Sequence, residues 1–104
     1  MKVLRLEKST NEDKKYDVYL RDSQGRDHKI SFGATGYNDY TRYFKRSRVL
    51  ADLHKEAYLK RHKPTEDWTL SGILTPGFWS RWILWNQPTV RSSLENVKGR
   101  FHLS

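Results

Sequence analysis

Apolar side chains recur at every second position in two early stretches of the chain. Tyr16, Val18 and Leu20 alternate with Asp17, Tyr19 and Arg21, and His28, Ile30 and Phe32 alternate with Lys29 and Ser31. A period of two puts one set of side chains on one face of an extended backbone, so each stretch predicts a strand with one buried side. Between them, Asp22-Ser23-Gln24-Gly25-Arg26-Asp27 is rich in turn formers and Gly25 is free to take a positive φ. The pair therefore reads as an antiparallel β-hairpin. Val3 to Lys8 predicts a further short strand, ended by the polar run Ser9-Thr10-Asn11-Glu12-Asp13. Residues 1–14 are expected to form an edge strand or a flexible arm.

The period then changes. Gly33 to Thr41 breaks the strand with two glycines and offers Asp39 or Thr41 as a helix N-cap. Leu50, Leu53 and Ala57 recur at helical spacing, with Phe44 or the stem of Arg46 one turn earlier, which predicts a single helix from about Arg42 to His62, stopped by Pro64. Thr65 to Leu74 has no clear period and reads as loop. Thr75-Pro76 places an N-cap before a proline at the first helical position, so a short helix is expected over Pro76 to Trp85. Phe78, Trp82 and Trp85 share one side of it while Trp79 and Ile83 widen the apolar surface, so it should be mostly buried. Val90, Leu94, Val97 and Phe101, at spacings of 4, 3 and 4, mark a final amphipathic helix whose last turn Gly99 loosens. The expected class is α+β: a short antiparallel β-hairpin or three-stranded meander packed against three helices, in one domain over residues 1–104.

Composition decides how the core of such a domain is filled. With 36% hydrophobic and 13% aromatic residues, much of its volume must come from Trp, Tyr and Phe. The segment Gly77 to Trp85 holds three tryptophans within seven residues. Such a cluster suits a partner pocket or a membrane interface, but in a chain short of aliphatic residues core packing is the better reading, with Trp68 covering one end.

Charge points to the partner. The net charge is +8 and the pI about 9.9, and six of the eight excess positive charges fall between Arg42 and Lys63. A domain this basic is a nucleic-acid-binding candidate. Arg42, Lys45, Arg46, Arg48, Lys55, Lys60, Arg61 and Lys63 would form a phosphate-tracking surface, and Tyr40, Tyr43 and Tyr58 would offer flat faces to sugars or bases. The bland counterpart is an ordinary solvated helix face, and the Arg-Ser-Arg and Lys-Arg-His-Lys clusters also match weak localisation patterns.

Other chemistry finds little support. The chain has no Cys, which excludes disulfides and thiolate metal sites and fits a reducing compartment. His28, His54, His62 and His102 show no ligand spacing, so no metal and no cofactor are expected. Asp39, Asp52, Glu56, Glu66 and Asp67 show no spacing that identifies a metal-dependent nuclease. No nucleophile-elbow pattern occurs, and Gly33-Ala34-Thr35-Gly36 is too short for a Walker-type loop. A non-catalytic protein is expected. Charges interrupt Met1 to Lys8 before a signal-peptide core forms, and the longest apolar-rich stretch, Gly77 to Trp85, contains Arg81 and falls well short of the ~20 residues a membrane span needs. The protein is expected to be soluble, neither secreted nor transmembrane.

Three stretches carry a family resemblance: His28-Lys29-Ile30-Ser31-Phe32-Gly33-Ala34 with Gly36-Tyr37-Asn38-Asp39-Tyr40-Thr41; Arg61-His62-Lys63 with Asp67-Trp68; and Gly77-Phe78-Trp79-Ser80-Arg81-Trp82 with Leu84-Trp85-Asn86. Together they resemble a family of small uncharacterised proteins of large double-stranded DNA viruses of algae and amoebae. The resemblance runs from about Tyr16 to Phe101, and the Trp-rich motif is its most specific part. It implies a viral accessory or virion-associated protein, found in the virion or in the cytoplasm or nucleus of the infected host cell. It brings no catalytic or binding residue. Between Thr41 and His62 this chain is longer than the family pattern, so the charge reading belongs to this chain alone.

The expected function is binding of nucleic acid, DNA or RNA, mainly through phosphate contacts with weak sequence preference. The alternative is a structural or protein-interaction component of the virion that meets an acidic viral protein surface. Peripheral membrane binding through Trp and basic residues ranks third.

Overall fold

Val3 and Leu6 are three residues apart, an odd spacing that in a regular strand would turn one of them to solvent. The computed structural model, which describes all 104 residues, shows how both are kept on one side. Strand β1 (Lys2–Lys8) shifts register between Val3 and Arg5, so that Val3 faces Leu20 and Leu6 faces Val18 on β2 (Lys14–Arg21). Strand β3 (Asp27–Ala34) continues the antiparallel meander in the order β1-β2-β3, with Ile30 opposite Val18 and Phe32 opposite Tyr16. The expected hairpin and the expected edge strand are both present. Gly25 closes the hairpin at φ 79°, and the Asp22 carboxylate accepts from the Gln24 and Arg26 N–H groups within the turn. The first strand is not a free arm: Val3 N–H donates to the Ser104 carbonyl at 2.9 Å, which pairs the end of the chain with its outer edge.

The expected single helix over Arg42 to His62 is two helices. α1 (Tyr40–Arg46) and α2 (Arg48–His62) meet at Ser47, whose backbone is extended at φ −167° and ψ 126°. Each half has its own cap. Asp39 accepts from Arg42 N–H at 3.1 Å in the first turn of α1, and Ser47 Oγ accepts from Leu50 N–H at 3.2 Å, a donor that an uninterrupted helix would bond to the Arg46 carbonyl. No glycine or proline marks this break, so residue type alone conceals it.

The buried face of α2 also differs from expectation. Leu53 is 60% exposed and Ala57 is exposed, while Ala51 and Tyr58 are buried with His54 and Lys55 half-buried between them. Positions 51, 54, 55 and 58 make one helical stripe, but only two of its side chains are apolar by type. The stripe faces in because its partners are aromatic. Tyr58 stacks on Trp85, and Tyr43 of α1 lies flat on the His54 ring with centroids 3.9 Å apart.

A short 3₁₀ turn (Leu70–Gly72) precedes α3 (Pro76–Trp79), which starts at the expected Thr75-Pro76 cap and runs into a π-helical turn (Ser80–Leu84). The Trp-rich segment is core rather than a docking surface. Phe78, Trp79 and Ile83 are fully buried, and the indole N–H groups of Trp79 and Trp82 donate to the Ile73 and Trp68 carbonyls at 2.7 and 2.9 Å. These bonds allow the rings to be buried without an orphaned donor. α4 (Val90–Arg100) closes the fold from the Thr89 capping box, with Val97 buried and Val90, Leu94 and Phe101 packed on the same core. The class is α+β, a three-stranded meander with four helices; the fourth arises from the break at Ser47. No helix is long and apolar enough to cross a membrane.

Candidate nucleic-acid interface

At one end of the sheet the last residues of β3 meet the start of β2, with Ala34 opposite Lys14. Gly33, at φ 80°, sits so close to its neighbours that a Cβ there would lie 2.7 Å from Leu84 Cδ1 and 3.1 Å from Lys15 Cβ. Only glycine fits the angle and the space. The chain then crosses a loop with Gly36 at φ 85° and enters α1 at Asp39. Lys15 Nζ reaches over this loop to Asp39 Oδ2 at 2.7 Å and to the Tyr37 carbonyl at 2.5 Å. Both side chains of the ion pair are almost fully covered, 11% and 6% exposed, so their charges cancel inside the corner.

Two grooves flank this corner. One, of about 510 Å³, is lined by Lys8 and Lys14 from the strand ends and Arg42 and Lys45 from α1, with Asp39 its one carboxylate. That carboxylate is already committed to Lys15, so the groove is cationic. At its wall Thr41 Oγ1 is buried without a hydrogen-bond partner. The other groove, of about 430 Å³, shares Lys14, Lys15 and Asp39 and adds Tyr37, Arg61 and the His62–Glu66 pair. His62 Nδ1 and Glu66 Oε2 are 3.1 Å apart, and Glu66 Oε1 also accepts from the Trp68 indole at 2.9 Å.

The structure divides the cations expected on one helix among different surroundings. Arg42 and Lys45 share the first groove, Arg61 lies in the second, and Lys60 and Lys63 border a third depression beside Trp68, Arg81 and Trp82. Arg46 is exposed next to the helix break. None of these six forms an ion pair within the molecule. Arg48 is exposed but pairs with Asp52 at 3.9 Å. Lys55 is turned inward: its ammonium donates to the Asn86 carbonyl at 2.9 Å and lies 5.0 Å from the centre of the Tyr40 ring. Burial, then the nearby Arg81 charge, lowers its pKa. It is a packing residue with a satisfied charge, and no single helical stripe of cations exists, because α2 buries one of them and the break at Ser47 separates α1 from the rest.

The three tyrosines divide in the same way. Tyr40 is buried and donates its hydroxyl to Asp52 at 2.8 Å; Tyr58 is buried between Trp85, Trp68 and His62. Burial first, then the Glu66 charge, raises the Tyr58 phenol above the usual range. Neither has a free face. Tyr43 is half-buried, with one face on His54. The exposed aromatic is Tyr37, 72% accessible on the loop between the grooves. A search of the charged helix alone passes over Tyr37, Lys8 and Lys14. The available signal is topological: Lys8 ends β1 and Lys14 begins β2, so the β1–β2 turn must bring them to the corner where β3 leads into α1. No group of three or more His, Asp or Glu side chains converges to suit a metal ion.

A family of unknown function, DUF5754, matches residues 4–43, the span from β1 into α1 that includes this corner but not α2. No curated protein and no solved structure matches the chain.

Proposed function

We propose that this protein binds nucleic acid, without catalysis, mainly through phosphate contacts. The observation that carries this reading is the first groove, where Lys8, Lys14, Arg42 and Lys45 converge and the one carboxylate is neutralised by Lys15. Concentrated like charge repels itself and costs stability unless an anion offsets it. The net charge of +8 and the unpaired cations of α2 add a diffuse attraction for any phosphate backbone. In the viral setting that the family resemblance implies, such a protein would act as an accessory or virion-associated nucleic-acid binder. The test is titration of labelled DNA and RNA across a salt series. Affinity should fall linearly on a log–log plot, as expected for counterion release. Salt-independent binding, or none at low salt, would sink the reading.

A second reading, a structural or protein-interaction component, draws on one observation. Val49 and Leu53, four residues apart on α2, are 71% and 60% exposed and give the helix a small apolar outer patch. Retention of the protein in particles stripped of nucleic acid by nuclease would favour this role.

A further inference from the structure

We infer that the two grooves form one continuous track for single-stranded nucleic acid, with Tyr37 as the platform on which a base stacks. The inference rests on the nucleic-acid reading above and specifies its site and its strand. Continuity follows from the shared lining. Lys14, Lys15 and Asp39 belong to both grooves, and the loop between them contributes Thr35 and Gly36 to one side and Tyr37 and Asn38 to the other. A backbone entering past Lys45, Arg42 and Lys8 meets Lys14 at the centre and leaves past Arg61, so cations from β1, β2, α1 and α2 line a single path.

Tyr37 supplies what a charged groove alone lacks. Its ring is 72% exposed, an unfavourable placement for a large aromatic side chain with no internal partner. Yet its backbone is fixed: the carbonyl accepts from Lys15 Nζ at 2.5 Å, and two residues later Asp39 is held by both Lys15 and the Arg42 N–H. The ring is therefore held out from an anchored loop, between the cationic first groove and a second one in which Lys14 and Arg61 stand beside the His62–Glu66 pair. Sequence-tolerant single-strand binders combine these same parts, a positive groove along the backbone and an aromatic face for unpaired bases. A duplex hides its base faces inside the stack and presents its phosphates on a convex rod, so it has no use for a projecting ring between two hollows.

The test uses the full chain with labelled oligo-deoxythymidine, a labelled duplex of the same length, and heparin as an unstructured polyanion. Wild type should bind the single strand more tightly than the duplex. The triple variant Lys14→Gln/Arg42→Gln/Lys45→Gln should weaken single-strand binding by about tenfold or more. The control Lys2→Gln/Arg21→Gln/Arg26→Gln removes as much charge at the opposite end of the sheet, away from the track and from α2, and should change it no more than about twofold. Tyr37→Ala should weaken single-strand binding about fivefold or more while leaving duplex and heparin binding unchanged. Equal losses in the two triple variants, a tighter duplex, or a silent Tyr37→Ala would each overturn the track while leaving general phosphate binding intact. Failure of wild type to bind any of the three probes at low salt would remove both. Circular dichroism and a thermal melt of each variant separate these outcomes from unfolding.

Discussion

Lys15 holds Asp39 at 2.7 Å across the corner of the sheet, and the same carboxylate caps α1 through the Arg42 N–H. One side chain thus fastens the loop bearing Tyr37 to β2 and starts the helix bearing Arg42 and Lys45. Removing it leaves a covered ammonium without its partner and a helix without its cap. Asp39→Ala should therefore cost about 3 kcal/mol, near the lower end for breaking a buried pair. Lys15→Met, which keeps the stem but strands the carboxylate, should cost a similar amount. A urea titration measures both; a loss below about 1 kcal/mol for each would show that the pair is solvated and does not brace the corner.

Tyr58 lies against Trp85 with centroids 4.5 Å apart and ring planes 9° from parallel. This contact docks α2 on the aromatic core, since Leu53 and Ala57 face away. Tyr58→Ala should destabilise by about 3 kcal/mol, as deletion of a buried aromatic ring does. Tyr58→Phe keeps the stack and should lie within about 0.5 kcal/mol of wild type. Equal losses in the two variants would mean the hydroxyl, not the ring, carries the docking.

Thr41 Oγ1 is a buried hydroxyl with no partner. Valine has nearly the same shape without the unsatisfied group, so Thr41→Val should raise stability by about 1 kcal/mol and shift the thermal midpoint upward. A drop of that size would reveal a hydrogen bond to the hydroxyl in solution.

Asp17 is fully buried on the face of the sheet opposite the core. Burial works against its ionisation, but the Ser31 and Ser9 hydroxyls at 2.6 and 2.7 Å, the Thr10 N–H and the Lys29 ammonium together outweigh it and hold the carboxyl below its ordinary pKa. A folded-state pKa lower than the unfolded one means that stability is present above about pH 4 and is lost as pH falls through the folded value. Asp17→Asn cannot ionise, so the stability gap between it and wild type should be widest near neutrality and close in acid. Chemical denaturation from about pH 7 down to about pH 3 measures the gap; one that stays constant would rule out the ionised carboxylate as its source.

Wherever local pattern and tertiary environment agree, the elements are legible in the residues alone. Alternation at Tyr16-Val18-Leu20 and His28-Ile30-Phe32 suffices for the hairpin, because side chains in a strand must alternate whatever packs on them. Thr75-Pro76 and the 4-3-4 spacing from Val90 likewise place α3 and α4, since capping and helical periodicity act within a few residues. The face of α2 is another matter. Ala51, His54, Lys55 and Tyr58 turn inward because Trp85, Tyr43 and Tyr40 lie opposite them, and those partners come from other elements. A count of apolar types along the helix picks Leu53 and Ala57 instead.

Basicity is a property of the chain, and it follows from twenty Lys and Arg against twelve Asp and Glu in any conformation. Which of those charges stand free and close together is a property of the fold. Lys8 and Lys14 come from strands, Arg42 and Lys45 from α1 and Arg61 from α2, and they meet only because the meander ends where α1 begins. Local preferences act over a turn or two of chain, whereas contacts between distant residues depend on how whole elements pack, so the composition determines the positive balance and the packing alone determines which cations stand together.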